Sequence, residues 1–290
     1  MNFGIIGAGI VGTAMAIRLS QAGYKLVGMH TRSQRSYDRF CTYLEWEKRP
    51  LAEWIAQADL LFITTQDGMI RPACEELTRK GLYKEGQIWI HCSGSVSSRA
   101  MEVDSTLPVK YLSIHPLQAF AGIEQALELM PGTHFGIEGD AVEVGLEIVQ
   151  SLGGIPHQLA SRQKPLYHAG AVVVSNYLVS LAGIAVKLFE EAGIPRQDAL
   201  ESLLPLMQGT LKNLEKVGLP QALTGPIARG DAEVIRGHLE HMPQEVQPAY
   251  RVLGLYTLEL AKQKREQSGL TYPQEAKEEI RGLLEGQGGS

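Results

Sequence analysis

The sequence predicts an α/β fold: a doubly wound parallel sheet in the N-terminal half, followed by a mostly helical C-terminal half. Three observations predict it. Short apolar runs alternate with helical patterns from the first residues to about residue 155. The first run, Asn2 to Gly7, leads straight into a glycine-rich turn and a helical pattern. Beyond about residue 160 only helical patterns remain. These changes divide the chain into domains of 1–158 and 159–290, and 290 residues suffice for two cores.

The elements follow in order. Asn2 to Gly7 is a short strand. Gly7-Ala8-Gly9-Ile10-Val11-Gly12 turns into a helix that runs to about Ala22, where Gly23 stops it. Tyr24 to His30 completes a strand–helix–strand unit. Pro50 opens a short helix at Leu51 to Gln57, and a strand follows at Leu60 to Thr64. Asp67 is placed to cap a helix from Gly68 to Lys80, which Gly81 ends. Further strands are expected at Gln87 to His91, Lys110 to Ile114 and His134 to Glu138, then a helix from Ala141 to Leu152.

In the second half, Ser161 is placed to cap one long helix from Arg162 to Ala192. It is apolar on most faces, so burial is expected, either in its own domain or at a subunit interface. Helices at Gln197 to Leu204, Pro205 to Val217, Asp231 to Leu239, Pro248 to Arg265 and Gln274 to Leu284 follow. The tail, Glu285 to Ser290, is expected to fray.

Composition narrows the function. The 27 basic and 32 acidic residues leave a net charge of -5, which gives no support to a nucleic-acid partner. The greasiest stretch, AGAVVVSNYLVSLAGIAV, is broken by Ser175, Asn176 and Ser180, so no membrane partner is expected. The opening residues carry no basic n-region and no cleavage site. Cys41, Cys74 and Cys92 make neither a disulfide framework nor a zinc spacing. A cytoplasmic protein without a metal is the expectation.

The glycine turn carries the clearest chemistry. Gly7 permits the tight turn, Gly9 lets the backbone approach a pyrophosphate, and Gly12 lets the helix pack on the sheet. The N–H groups of the following helix, around Ile10 and Val11, can meet phosphate. This is a Rossmann dinucleotide site in its expected context, although a glycine turn of this kind also occurs without ligand. The end of the second strand decides the nucleotide. It reads His30-Thr31-Arg32-Ser33-Gln34-Arg35, with no acid for the ribose hydroxyls. Thr31, Arg32 and Ser33 suit a 2′-phosphate, so NADP(H) is the expected cofactor, against the alternative of a solvated basic loop. Thr65 and Ser93 stand at the same carboxyl edge and are candidate cofactor contacts. Asp67 reads as a cap before it reads as a catalyst, and Cys92 is packed or reactive.

Candidate reacting groups lie further along. His115 follows an apolar strand directly, where it meets a substrate or merely caps the loop. Lys164, His168, Val172 and Ser175 share one stripe of the long helix. Asn176 lies about 80° around from His168 on that helix, and either a ligand or an interhelix hydrogen bond would satisfy it. Arg229, in the segment LTGPIARGD, can grip a carboxylate or phosphate, or can pair with Asp231. His238 and His241 have helical metal spacing but no third ligand.

With GIIGAGIVG, HPLQAF, YHAGAVVVSNYLVSL, ALESLLPLMQGTLKNL and ALTGPIARGD, nearly the whole chain resembles a Rossmann-like family whose C-terminal half is a domain of unknown function. That resemblance implies an NADP-dependent oxidoreductase without a settled substrate. More distantly the chain is similar to the 6-phosphogluconate dehydrogenase-like superfamily. Those relatives imply a helical second domain that builds a homodimer. The HPLQ stretch resembles the His-Pro element of prephenate dehydrogenases, which implies that His115 lies near a substrate hydroxyl. One departure stands out. The β-hydroxyacid dehydrogenases of that group place a catalytic Lys four residues before a helix Asn, and here Val172 stands four before Asn176. The acid/base then falls to His115, His168 or Lys164, with Asn176 and Arg229 holding a small-molecule substrate. The competing expectation, motivated by the missing Lys, is a dinucleotide sensor or scaffold without hydride chemistry.

Overall fold

The computed structural model describes residues 1–286; residues 287–290, the end of the tail expected to fray, lie outside the described residues. The chain forms two compact units, Met1–Asn176 and Tyr177–Ser290.

The first unit holds a seven-stranded sheet in the order β2-β1-β3-β4-β5-β6-β7. The strands are β1 (Asn2–Ile6), β2 (Lys25–His30), β3 (Leu60–Ile63), β4 (Ile88–His91), β5 (Lys110–Pro116), β6 (His134–Gly139) and β7 (Ile155–Gln158). Strands β1 to β5 run parallel, as the βαβ pattern requires. Strand β6 turns back antiparallel to β5. The reason is local: the connection leaves β5 and re-enters at the same sheet edge, where Leu117 N–H donates to the carbonyl of His134 at 2.8 Å. Strand β7 then pairs in parallel with β6.

Alternating side chains build two cores. Phe3, Ile5, Phe62, Ile90, Leu112 and Ile114 pack beneath α1 (Ile10–Gln21) and the two later helices α5 (Ile123–Leu129) and α6 (Val142–Ser151). Ile6, Leu61, Ile63, Trp89 and Tyr111 face α3 (Leu51–Trp54) and α4 (Asp67–Arg79). A helix that the sequence reading did not anticipate, α2 (Gln34–Cys41), follows β2, with Ser33 as its cap. Because β1 to β5 are parallel, the loops after all five strands gather at one edge, the usual ligand edge of such a sheet.

The long helix expected over 162–192 is interrupted. A 3-10 turn at Ser161–Gln163 leads into α7 (Lys164–Val174), and Ser175, at φ −107° and ψ −70°, separates it from α8 (Asn176–Glu191). Ser161 does not cap it; its hydroxyl donates to Glu138 instead. Within the single chain the helix is not buried either: Leu166 is 78% exposed and Val179 73%. Ser161–Glu191 is also long and apolar enough to cross a membrane by length and composition, despite its Ser and Asn residues.

The second unit is helical. It contains α9 (Arg196–Val217), α10 (Pro226–Arg229), α11 (Ala232–His241), α12 (Gln247–Gln267) and α13 (Gln274–Glu285). Ile227, Ile235, Leu258, Ile280 and Leu284 form its core. The break expected at Pro205 is absent, because α9 runs through it with Pro205 exposed, where water can satisfy the carbonyl a proline frees.

Candidate functional site

The glycine turn has the geometry its sequence implies. Gly7 sits at φ +103°, and a Cβ there would lie 2.8 Å from the Thr64 backbone. A Cβ on Gly12 would lie 2.2 Å from the Gly7 carbonyl oxygen, so only glycine lets α1 approach the turn. Gly9 has open space on its Cβ side. It caps α1, whose first turn holds no acid, and the first N–H groups of a helix have no partner within it. The side chains of Ile10 and Val11 pack on the core beneath.

Beside the turn lies a cavity of about 430 Å³ lined by Gly7, Gly9, Thr31, Arg32, Ser33 and Thr65, among others. Its residues fit a dinucleotide. Thr65 lines it, and its buried hydroxyl has no hydrogen-bond partner among the described residues. Arg32 is exposed at the cavity rim, and Ser33 caps α2 by accepting from Ser36 N–H at 3.3 Å. Ser93 is placed differently from the other expected contacts. Its hydroxyl turns inward and accepts from the N–H groups of Ser95 and Val96 at 3.3 and 3.1 Å, and it does not line the cavity.

A second cluster stands at the same edge, within the first unit. Ser113 and His115 alternate onto one face of β5, and Lys164, Tyr167 and His168 share one face of α7. The two faces meet. Lys164 Nζ donates to Ser113 Oγ, and His115 Nδ1 lies 3.1 Å from the Tyr167 hydroxyl. The rings of His115 and His168 stand 6.2 Å apart, nearly edge to face. Gly94 makes the approach possible, since a Cβ there would lie 2.5 Å from His168 and 2.7 Å from His115 Nε2.

Beneath the cluster Glu138 acts as a hub. It is 1% exposed and accepts from Ser98 N–H at 2.6 Å, Ser98 Oγ at 3.0 Å and Ser161 Oγ at 2.6 Å. Lys164 Nζ, equally buried, lies 3.5 Å from it. Burial opposes charge on Glu138, yet the two serines and Lys164 hold its carboxyl below the usual range. Burial pulls Lys164 down to about 8, with Glu138 working in the other direction. Burial, then the nearby Lys164 and His168, brings His115 down to about 4, against the pull of Asp67. His115 is therefore a neutral imidazole at neutral pH, not the group titrating near 6.5 that its type alone suggests. Burial also pushes the Cys92 thiol up to about 12, which favours packing over reactivity.

The remaining expected residues make the following contacts. Asp67 begins α4 rather than capping it, and its carboxylate accepts from Ser95 Oγ at 2.8 Å. Asn176 opens α8 and is exposed, not buried. Arg229 belongs to the second unit, where its Nε donates to Asp231 at 2.8 Å, the loop-fixing alternative of the sequence reading. In that unit His238 meets the Tyr250 hydroxyl and His241 its own helix carbonyl. Sequence reasoning missed Tyr167 and Glu138. The signal for Glu138 was a carboxylate inside an apolar strand, which demands partners.

Two family models match the chain. A Rossmann-like domain covers residues 1–116, and DUF2520, a domain of unknown function, covers 133–257. No curated protein sequence matches. Among solved structures, protein TM1727 from Thermotoga maritima is 25% identical, with 91% of this chain and 97% of that chain covered at a TM-score of 0.64. BF3122 from Bacteroides fragilis, provisionally named an NADP oxidoreductase, is 24% identical, with 91% and 98% covered at 0.66. A pyrroline-5-carboxylate reductase from Coxiella burnetii shares the fold at 16% identity, with 94% and 99% covered and a TM-score of 0.59.

Proposed function

We propose that this chain, which joins a Rossmann-like domain to a DUF2520 domain, is an NADP(H)-dependent oxidoreductase acting on a small polar metabolite. One observation carries the reading. The open glycine cradle and the unpartnered Thr65 hydroxyl lie at the same sheet edge as the His115, Tyr167 and His168 cluster. The names of the fold neighbours, which include NADP oxidoreductases and reductases, agree with it.

The cofactor supplies or accepts the hydride. The chain does the rest. The α1 N–H groups and Thr65 hold the nucleotide, and Arg32 with Ser33 takes its 2′-phosphate. With the Tyr167 hydroxyl donating to Nδ1, the neutral His115 carries its proton on Nε2, beside Gly94. There it donates a hydrogen bond to a substrate oxygen or nitrogen as charge develops. His168 is the second group in reach and takes the acid/base role. Lys164 is sealed behind Ser113, so it sets the local potential rather than touching substrate. Arg229, paired with Asp231, receives no role here.

The test is an NADPH-oxidation screen over small carbonyl and imine compounds. A substrate should emerge whose turnover drops roughly 100-fold or more in His115→Ala or His168→Ala, with NADPH binding intact. Turnover unaffected in both variants would end the histidine assignment. NADPH binding with no turnover across the screen would favour a sensor.

A homodimer is the second part of the proposal. Tyr177, Val179, Leu204, Leu206 and Leu211 expose large apolar side chains on α8 and α9, the kind of surface that an interface covers. Charged Lys212, Glu215 and Lys216 on α9 favour a second copy over lipid. A monomeric mass by light scattering at micromolar concentration would contradict this. The free cysteines at 41, 74 and 92 fit a reducing, cytoplasmic setting.

A further inference from the structure

Glu76 is the one acid lining the nucleotide cavity among the described residues. A carboxylate at the adenosine end is the feature by which Rossmann sites favour ribose hydroxyls, and it would repel a 2′-phosphate dianion. Here the carboxylate is covered. Lys80, one turn further along the same helical path, donates to Glu76 Oε1 at 2.6 Å. A Glu four residues before a Lys is the favourable order for such a pair. The bond and charge of Lys80 hold the Glu76 carboxyl below its usual range, so it stays ionised and paired.

The surroundings reinforce this. Lys80 lines a second cavity, of about 710 Å³, together with His30, Lys48 and Arg49, and no acid lines it. His30 lines both cavities, so the two adjoin at the end of β2. Arg32 thus shares the nucleotide cavity with Glu76, and Lys48 and Lys80 line the cavity that adjoins it.

We propose that the Glu76–Lys80 pair is a determinant of cofactor selectivity: Lys80 neutralises the cavity's one acid and leaves the adenosine end positive for a 2′-phosphate. This rests on the NADP(H) reading above. It assigns Lys80 a role through Glu76, distinct from the direct grip of Arg32.

The experiment measures NADPH and NADH dissociation constants for the parent, Lys80→Met, Glu76→Gln and the double variant, at low and at high salt. Both side chains are about half exposed, so neither change touches the core. At low salt, Lys80→Met should weaken NADPH roughly three- to tenfold, the scale of one unpaired charge near a surface, with NADH changed less than about twofold. The double variant should return to within about twofold of the parent, and high salt should shrink every difference. An unchanged NADPH-to-NADH ratio in Lys80→Met would overturn the assignment. So would an equal loss when Lys80 is replaced in the Glu76→Gln background, because Lys80 would then act on the phosphate directly. A parent protein without NADPH preference would instead remove the cofactor reading itself, and this assignment with it.

Discussion

Replacing Glu138 by Gln keeps the shape of a side chain that is 1% exposed and removes its charge. The carboxylate accepts from Ser98 twice and from Ser161, and it sits 3.5 Å from the buried Lys164 ammonium. Removing one partner of such a pair costs about 3–5 kcal/mol, because the other charge is left buried and alone. Lys164 has an escape, since a neutral amine needs no carboxylate. Its native pKa is depressed from 10.5 to about 8, so between those values the unfolded chain holds a proton that the native chain does not. Parent stability should therefore rise with pH through that window. Glu138 adds a rise of the same sign at the acid end. Its native pKa is lowered, so its contribution is present above 4.5 and is lost as pH falls through the native value. The Glu138→Gln variant should lose about 3 kcal/mol at pH 6, where Lys164 is charged, and about half that at pH 9. For a unit of this size the pH 6 loss corresponds to roughly 6–12 °C in Tm. Urea unfolding followed by the fluorescence of the buried Trp54 and Trp89 reads both values. A loss under about 0.5 kcal/mol at pH 6 would refute a stabilising role for this buried pair. Equal losses at both pH values would refute the escape through Lys164.

Two further outcomes follow from the geometry. Gly94→Ala places a methyl within 2.5 Å of His168 and 2.7 Å of His115, so it should separate the rings and cut turnover on any substrate found. NADPH affinity should stay within about twofold, since Gly94 does not line the nucleotide cavity, and normal turnover would count against the cluster. Histidine ring NMR should find His115 neutral from pH 8 down to about pH 5, with its transition near 4. A midpoint near 6.5 would show that burial and Lys164 do not govern it.

The nucleotide half of the site is legible in the sequence because its causes are local. A turn at φ +103° and a helix touching its own turn admit only glycine, and both glycines can be read directly. The order of strand and helix patterns likewise gave the parallel core. The direction of β6 was not legible, because alternation of apolar residues is the same in either direction. The break at Ser175 left no mark either, since one serine is tolerated in a helix. The helical stripe brought Lys164 and His168 into one group but said nothing of what lay opposite. Glu138, 26 residues before Lys164, turned a surface-type lysine into a buried ion pair. The burial of His115 and its nearness to Lys164 and His168 arise only from the fold, which is why the histidine's protonation could not be read from its residue type.

The glycine-turn cavity is proposed to hold NADP(H) at the sheet edge that also carries His115. Calorimetric titration of the parent protein and of Arg32→Ala with NADPH and NADH tests it most directly. NADPH should bind with micromolar or tighter affinity, NADH at least about tenfold more weakly, and Arg32→Ala should largely close that gap through loss of the phosphate contact. Absence of binding by either nucleotide, or equal affinity for both in the parent protein, would contradict it.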